Sequence, residues 1–304
     1  MLAGALVFAL LLYLQSTRSQ VDLADLVLNA DPGWSLLAVL AMVASYPAAT
    51  MGFLGFVPER IGLVRAGLAQ VAGSFVKLVA PSGFGGMALN TRLLLRAGIA
   101  PGPAASSVGA GAVLGLVLHL GQLAFFLWLT GFQPAHQAGA GSGEQLTLLV
   151  GAALGAVALV ALAVPVSRRW LLVRLRPLTE GTLPRLRYLA SHPKHLAVGV
   201  LGQLLISMTL ISCLYCCVRA TVGDPPFAAV AVAFLLGNAL GSAMPTPAGV
   251  VGVETFTAGL LAATTGLGTN QALAPVVLFR LITLLLPVLP GWAAFGLLQR
   301  QKAL

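Results

Sequence analysis

The chain contains 304 residues, of which 58% are hydrophobic and 8% are charged, and its mean hydropathy is +0.95. Soluble domains carry roughly 25% charged residues, so this composition excludes a soluble protein and predicts an all-α, multi-pass protein of the cell membrane. The net charge of +9 would suit nucleic acid, but seven of the 17 cations lie in one segment, residues 168–194. Such clustering is typical of a cytoplasmic loop that obeys the positive-inside rule, so no nucleic-acid partner is predicted.

Six apolar segments are predicted to cross the membrane as helices, because about 20 residues span a ~30 Å hydrocarbon core. In chain order they are residues 1–14, 34–56, 103–130, 146–166, 196–218 and 271–298. The first segment would reach only about 21 Å as a helix. It lacks the basic region and cleavage site of a signal peptide. We therefore interpret it as a membrane helix truncated at its start, which would place the beginning of the numbering inside a longer natural chain.

Two further pairs of apolar segments are each interrupted by residues that break helices. Residues 66–80 and 86–95 form the first pair, and residues 227–244 and 249–265 form the second. Lipid provides no partner for the backbone groups that a break frees, so a break at membrane depth must be surrounded by protein or by a watery cavity. We therefore predict two re-entrant helical hairpins, with eight short crossings as the alternative. The breaking residues are Pro81, Gly83, Gly86, Pro245, Pro247, Gly249 and Gly252.

The distribution of charges predicts the orientation of the chain. If residues 168–194 are cytoplasmic, the Gly-rich residues 131–145 and the acidic residues 15–33 lie outside. The turn with Arg60 and Arg65 and the basic C-terminal tail then lie inside. All of these segments agree with the lysine and arginine bias of cytoplasmic loops. Both chain termini are therefore predicted to be cytoplasmic.

The two halves, residues 1–150 and residues 151–304, are predicted to form an inverted repeat within a single transmembrane domain. Each half contains two spans, a hairpin and a further span, and the two hairpins would enter from opposite sides of the membrane. Pro81-Ser82-Gly83-x-x-Gly86 in the first half also aligns with Pro247-Ala248-Gly249-x-x-Gly252 in the second half. Broken helices in corresponding places of inverted halves are typical of transporters.

Two charges within apolar sequence are candidates for a functional site. Glu254 lies about two turns beyond Pro247, and Arg280 lies some nine residues into the last span. An isolated charge near the middle of the membrane costs several kcal/mol, so we predict an ion pair between these two side chains. The pair would either only lock two helices together or also line the route of a substrate.

Basic and neutral polar residues near the breaks favour an anionic ligand. Lys77 has no carboxylate in its hairpin to neutralise it, although its side chain could also extend toward lipid headgroups. Arg92 and Arg96 lie one turn apart on one helix face and would either clamp a lipid phosphate or rest on anionic inner-leaflet lipids. The helix N-termini after the breaks offer unpaired N–H groups to a phosphate. Neutral hydrogen-bonding groups beside them are Ser82, Asn90, Asn238 and Thr246.

The remaining polar and sulfur-containing residues favour structural roles. His119 and Gln122 share a helix face, which predicts interhelical hydrogen bonds. Cys213, Cys216 and Cys217 lack the four-ligand spacing and the nearby histidines of a metal site, so we expect them to pack in the core. The sequence has no paired-carboxylate site, no HExxH and no GxSxG with plausible partners, and its break glycines lack the strand and helix of a dinucleotide loop. We therefore predict no enzyme activity, no metal site and no cofactor.

The two broken elements carry a motif that extends into the last span. In the second half, Pro245-Thr246-Pro247-Ala248-Gly249-Val250-Val251-Gly252-Val253-Glu254 is followed by Leu278-Phe279-Arg280-Leu281-Ile282-Thr283. This resembles the closing signature of the lysylphosphatidylglycerol synthase/flippase transmembrane family, Pro-Thr-Pro-Gly-Gly-hydrophobic-Gly-x-x-Glu and then Tyr-Arg-Leu-x-Thr. Ala248 and Phe279 are mild departures from that signature. Ala80-Pro81-Ser82-Gly83-Phe84-Gly85-Gly86 with Arg92 resembles the first-half motif of the same family.

The resemblance covers nearly the whole chain and implies a membrane domain that translocates lipid. In the best-studied branch of the family, this domain moves aminoacylated phosphatidylglycerol between leaflets, and a separate soluble domain makes that lipid. These 304 residues do not include such a soluble domain. The aminoacylated substrate therefore does not carry over to this chain.

Three functional hypotheses follow from the sequence. The first is a lipid flippase or transporter, which would move an anionic or modified phospholipid, or a lipid-linked headgroup, between leaflets. The second is a non-catalytic membrane scaffold for a fused or partner soluble enzyme. The third is an ion-coupled carrier of a small solute, with Glu254 as the proton site. A polar cavity would favour the first hypothesis and a dry interface the second, while assembly into a homo-oligomer stays open.

Overall fold

The structure, a computed structural model, describes residues 29–59, 61–79, 84–131, 185, 187–242, 252–301 and 303–304. These residues form nine α-helices and one π turn, and they include no strand. The helices are α1 (Pro32–Phe56), α2 (Leu63–Val79), α3 (Phe84–Arg96), α4 (Pro101–Leu129), α5 (Pro193–Thr221), α6 (Phe227–Ser242), α7 (Gly252–Thr265), α8 (Thr269–Arg280) and α9 (Val288–Arg300). The π turn, Leu281–Leu285, joins α8 to α9.

Four elements are long and apolar enough to cross a membrane: α1, α4, α5 and the continuous stretch Asn270–Arg300. They coincide with four of the six predicted spans, so the prediction of an all-α, multi-pass membrane protein is confirmed. The other two predicted spans, residues 1–14 and 146–166, lie outside the described residues. The first residues of three long helices carry the signals that favour a helix start. Prolines occupy the first turns of α1, α4 and α5, and the Asp31 side chain caps α1 by accepting from Trp34 N at 2.8 Å.

The central contact of the fold is an antiparallel pair formed by α1 and α5. At one end of the pair, Asp31 N donates to Ala220 O at 2.9 Å. Toward the other end, glycines of the two helices face each other: Gly52 lies against Gly202, and Gly55 lies against Gly199. A Cβ atom at Gly55, Gly199 or Gly202 would overlap atoms of the opposite helix, whereas one at Gly52 would make ordinary contacts with it. Such small residues let membrane helices approach closely enough for their backbones to touch.

Two pairs of short helices pack as antiparallel hairpins against this centre. In the first, α2 and α3 are joined by a hydrogen bond from Gln70 Nε2 to Asn90 Oδ1 at 3.2 Å. In the second, Gly237 of α6 lies directly on Thr257 of α7. The two arms of each predicted hairpin are therefore present and in contact. The predicted break residues between them, Pro81, Gly83, Pro245, Pro247 and Gly249, lie outside the described residues.

Each short-helix pair also packs against a long helix from the opposite half of the chain. In one of these contacts α9 lies on α2, where a Cβ atom at Gly291 would come within 2.9 Å of Ser74 Oγ. In the other contact α6 lies on α4, where His119 Nε2 donates to Leu235 O at 3.1 Å. The larger apolar core is formed by α5, α6, α7 and α8 with parts of α1 and α4, and a smaller core joins α2, α3 and α9.

The last span differs from the single α-helix predicted over residues 271–298. Its backbone widens into the π turn after Arg280, and Leu286 N donates to Leu281 O at 3.0 Å, five residues back. Pro287 explains the change, because a proline has no N–H to donate and its ring would clash with the carbonyl of residue 283 in a regular α-helix. Single π turns inside α-helices are frequent at functional sites.

Candidate functional site

A half-enclosed cavity of about 270 Å³ lies among α1, α2, α3, α4 and α5. Its apolar walls include Phe53 and Phe56 of α1, and glycines of α4 leave the space that side chains would otherwise fill. Its polar groups are the side chains of Gln70, Asn90, Ser107 and Gln203. Ligand pockets commonly combine an apolar wall with a few convergent polar groups in this way.

The polar groups of the cavity come from four different helices and are all uncharged. Gln70 on α2 donates to Asn90 on α3, and both side chains are half-buried. Gln203 on α5 reaches across to α4, since a Cβ atom at Gly115 would come within 2.9 Å of its Nε2. Amides in such positions provide donors and acceptors inside a bundle whose lipid-facing surface is apolar. The cavity can therefore hold water or a polar headgroup.

A charged cluster lies at the end of this cavity where α1 finishes and α4 begins. Arg185 Nη2 lies 2.7 Å from each carboxylate oxygen of Glu59. The same guanidinium donates to Ser107 Oγ through Nε at 2.9 Å and through Nη2 at 2.6 Å. Ser107 is buried and lines the cavity, so the cluster and the cavity share a side chain.

The predicted ion pair between Glu254 and Arg280 is confirmed. Arg280 Nε donates to Glu254 Oε1 at 2.6 Å, and the exposed fractions of the two side chains are only 10% and 2%. Glu254 lies in the first turn of α7, and Arg280 is the last residue of α8 before the π turn. Among the described residues, no hydrogen-bond partner is found for Glu254 Oε2. The pair thus joins two helices of the second half and leaves one carboxylate oxygen available to a further donor.

The structure separates the other residues that were predicted to bind substrate. Asn90 lines the cavity, whereas the cavity wall that the structure describes includes neither Lys77 nor the Glu254–Arg280 pair. Lys77 is exposed near the end of α2, and its Cε would lie 3.9 Å from a Cβ atom at Gly86. Arg92 and Arg96 on α3 and Asn238 on α6 are also exposed, and Gly252 begins α7. Ser82 and Thr246 lie outside the described residues.

The roles predicted for the histidine and the cysteines are confirmed. His119 bonds across to α6, and Gln122 Nε2 donates to Leu204 O on α5 at 3.4 Å, so both form interhelical contacts. The three cysteines of α5 are buried and unoxidised. Within the described part of the chain, no group of three or more metal-ligating side chains comes together.

A second charged cluster lies at the opposite end of α5. Arg219 pairs with Asp224, and its guanidinium carbon lies 4.5 Å from the centre of the Trp34 ring. The Tyr215 hydroxyl donates to Asp224 Oδ1 at 2.9 Å. This hydrogen bond, together with the neighbouring guanidinium, holds the pKa of the Asp224 carboxyl below its ordinary value. The cluster ties the loop after α5 to the start of α1.

Of the polar residues that line the cavity, Asn90 alone was predicted from the sequence. Gln70 and Gln203 are polar residues within apolar helices, a signal that could have been used. Arg185 was counted only as one of the cations of residues 168–194, and Glu59 precedes Arg60, which was used only for the orientation of the chain. Arg185 and Glu59 lie 126 positions apart in the chain, so no local sequence pattern indicates that they pair.

Comparison with known protein families identifies the family of the chain. The family described as Lysylphosphatidylglycerol synthase TM region matches residues 1–291 of the chain. The chain belongs to this family. A search of curated proteins finds no match. Membership in the lysylphosphatidylglycerol synthase TM region family confirms the resemblance inferred from the broken elements, and it relates the function of this multi-pass membrane protein to membrane lipids.

Proposed function

We propose that this protein moves an anionic or modified phospholipid, or a lipid-linked headgroup, between the leaflets of the cell membrane. The observation that carries the proposal is the cavity of about 270 Å³ with four uncharged polar side chains inside an otherwise apolar bundle. A phospholipid headgroup crosses the hydrocarbon core only if polar groups replace its water. The cavity offers such groups, and the acyl chains can stay in the surrounding lipid.

The contacts among the helices support the predicted inverted repeat that would make alternating access possible. If α1, the α2–α3 pair and α4 correspond to α5, the α6–α7 pair and α8–α9, each contact has a counterpart. The packing of α2 on α9 corresponds to that of α6 on α4, and α1 on α4 corresponds to α5 on α8. α1 and α5 would correspond to each other and pack on each other, so the axis that relates the two halves would pass between them. In inverted-repeat transporters, one half rocks against the other around a fixed site.

The charges near the cavity favour an anionic headgroup over a cationic one. Arg185 stands at the end of the cavity beside Ser107, and exposed Arg92 and Arg96 lie on α3, which forms one cavity wall. Such cations would attract the anionic lipids of the inner leaflet. The predicted cytoplasmic position of these residues would then make the inner leaflet the side from which the cavity loads.

The test is lipid exchange in liposomes that contain the purified protein and a fluorescent anionic phospholipid. We expect wild type to exchange the lipid faster than empty liposomes. The double variant Gln70→Leu with Asn90→Leu should exchange it at close to the empty rate. These leucines remove both partners of one hydrogen bond together, so no buried polar group is left unpaired and the fold should survive, while the cavity loses its polarity.

A matched control is Thr209→Val, which removes a hydroxyl that bonds within its own helix, α5, outside the cavity wall. This variant should exchange lipid like wild type. Equal exchange in wild-type and empty liposomes would rule out the flippase and leave the scaffold hypothesis. Uptake of a small solute that depends on a proton gradient, without lipid exchange, would instead favour the carrier in which Glu254 takes the proton.

A further inference from the structure

The charged cluster at the end of the cavity combines a more buried cation with a more exposed anion. The exposed fraction of the Arg185 side chain is 14%, and that of Glu59 is 33%. Arg185 is held on two sides, by Glu59 and by the buried hydroxyl of Ser107. Glu59 lies three residues beyond the end of α1, outside any helix. The carboxylate can therefore turn away more easily than the guanidinium.

The guanidinium provides donors suited to a tetrahedral anion. Arginine binds carboxylate and phosphate with the same fork of N–H groups. The Ser107 hydroxyl donates to Pro103 O at 2.9 Å and accepts from Arg185, so it holds the guanidinium in place. Because Ser107 also lines the cavity, an anion bound here would project its substituent toward Gln70, Asn90 and Gln203. A phosphate bound to the same N–H groups would lie close to the Glu59 carboxylate and be repelled by it, so the two anions compete for the guanidinium.

We propose that Arg185, held in place by Ser107, forms the phosphate site of the cavity, and that Glu59 occupies it until a phosphodiester headgroup takes its place. One ion pair replaces another: the phosphate binds the Arg185 guanidinium, and the Glu59 carboxylate leaves it and moves into water. The recognition chemistry is that of a phosphate anion. That the phosphate belongs to a lipid rests on the proposed function, whereas the phosphate site itself does not.

The test measures binding of dihexanoyl phosphatidylglycerol, a short-chain lipid, to the purified full chain in an uncharged detergent by titration calorimetry. Glu59→Gln should bind this lipid several-fold more tightly than wild type, because the competing charge is gone while its amide can still accept from Arg185. Arg185→Gln should bind it about tenfold more weakly or worse, the scale of one lost charge-assisted hydrogen bond. The two variants are thus expected to change affinity in opposite directions.

Another ion pair of the described residues, Arg219 with Asp224, provides matched controls. Arg219→Gln and Asp224→Asn make the same changes of charge at the other end of α5 and should leave the affinity unchanged. If Glu59→Gln weakened binding as much as Arg185→Gln, the pair would be only a structural link and the proposal would be overturned. The thermal unfolding midpoint of each variant shows whether it is folded, and Glu59→Gln keeps the test decisive even if Arg185→Gln fails to fold.

Two further ligands separate the possible sources of the phosphate. Dihexanoyl glycerol lacks the phosphate, and we expect no binding; affinity equal to that of the phospholipid would overturn the proposal. Inorganic phosphate should compete only weakly with the lipid. If it bound as tightly as the lipid, the phosphate site would stand, but its ligand would be a free anion and the lipid-translocation function would lose its support.

Discussion

The buried pair of Glu254 and Arg280 is the clearest case of a single contact with two explanations. Both side chains lie within apolar helices and nearly out of contact with the surroundings. A pair in such a place can be purely structural, since removing one partner leaves an uncompensated charge at a cost of about 3–5 kcal/mol. It can also serve transport, because Glu254 Oε2 has no hydrogen-bond partner among the described residues and could accept one from a headgroup.

Substitutions of one or both partners distinguish these explanations. Glu254→Leu alone should lower the thermal unfolding midpoint strongly, because Arg280 then lies buried without its carboxylate. The double variant Glu254→Leu with Arg280→Met should recover most of that stability, since apolar residues of similar size often replace buried ion pairs well. If the pair lines the lipid route, the recovered double variant should still fail to exchange lipid in liposomes. Normal exchange in the folded double variant would show that the pair only locks α7 to α8.

The residues predicted to bind substrate differ in whether they lie at the cavity. Asn90 was predicted to bind substrate and lines the cavity, where it is hydrogen-bonded to Gln70. Lys77 was the strongest sequence lead for anion binding, yet it is exposed at the end of α2 and lies outside the described cavity wall. The cation beside the cavity is instead Arg185, which the chain brings in from a distant segment.

At the scale of elements, the contact between α1 and α5 depends on glycine. A Cβ atom at Gly202 would overlap the backbone of Gly52 and approach Ala48 O within 2.9 Å. By contrast, Gly121 on α4 has no atom within 4 Å of the position where its Cβ would lie. The same substitution should therefore have opposite effects at the two sites.

Gly202→Ala should destabilise the protein by about 1–3 kcal/mol, because the two helices must move apart to accommodate one methyl group. Gly121→Ala should be neutral or stabilising by up to about 1 kcal/mol, the difference in helix propensity between the two residues. Thermal unfolding in detergent, followed by circular dichroism, measures both. Equal midpoints for the two variants would contradict the close approach of α1 and α5.

At the scale of the whole molecule, the charge distribution and the helix contacts lead to one orientation. Arg185 contacts Glu59, just after α1, and Ser107, near the start of α4. The end of α1, the start of α4 and Arg185 therefore lie on the same side of the helix bundle. The end of α4 and the start of α1 lie on the other side. The lysine and arginine bias predicts that the first of these sides, and with it both termini, is cytoplasmic.

Labelling of single introduced cysteines with a membrane-impermeant maleimide tests this orientation. Thr130 and Ser191 are both exposed, at the end of α4 and just before α5. We expect Thr130→Cys to react in intact cells and Ser191→Cys to react only after permeabilisation. The unsubstituted chain is the control and should remain unlabelled, because its three cysteines are buried. The reverse pattern would invert the orientation and move the loading side of the cavity to the outer leaflet.

Composition and hydropathy were sufficient for the class of the protein and for the positions of the four long spans that the structure describes. The prediction for residues 196–218 falls within Pro193–Thr221, and that for residues 34–56 falls within Pro32–Phe56. Both agree because the length of a membrane helix is imposed by the thickness of the bilayer. The π turn was missed because periodicity cannot distinguish it from an α-helix, although Pro287 marks its place.

The sequence by itself determined the membrane class, most helix bounds and the Glu254–Arg280 pair. These follow from the cost of exposing backbone groups or lone charges to hydrocarbon, which every local stretch must meet independently of its neighbours. Only the tertiary structure decided where the cavity lies and that Arg185, Glu59 and Ser107 meet at its end. Those contacts depend on how the helices cross, and the crossing is set by glycines and side-chain shapes that come together only in the folded bundle.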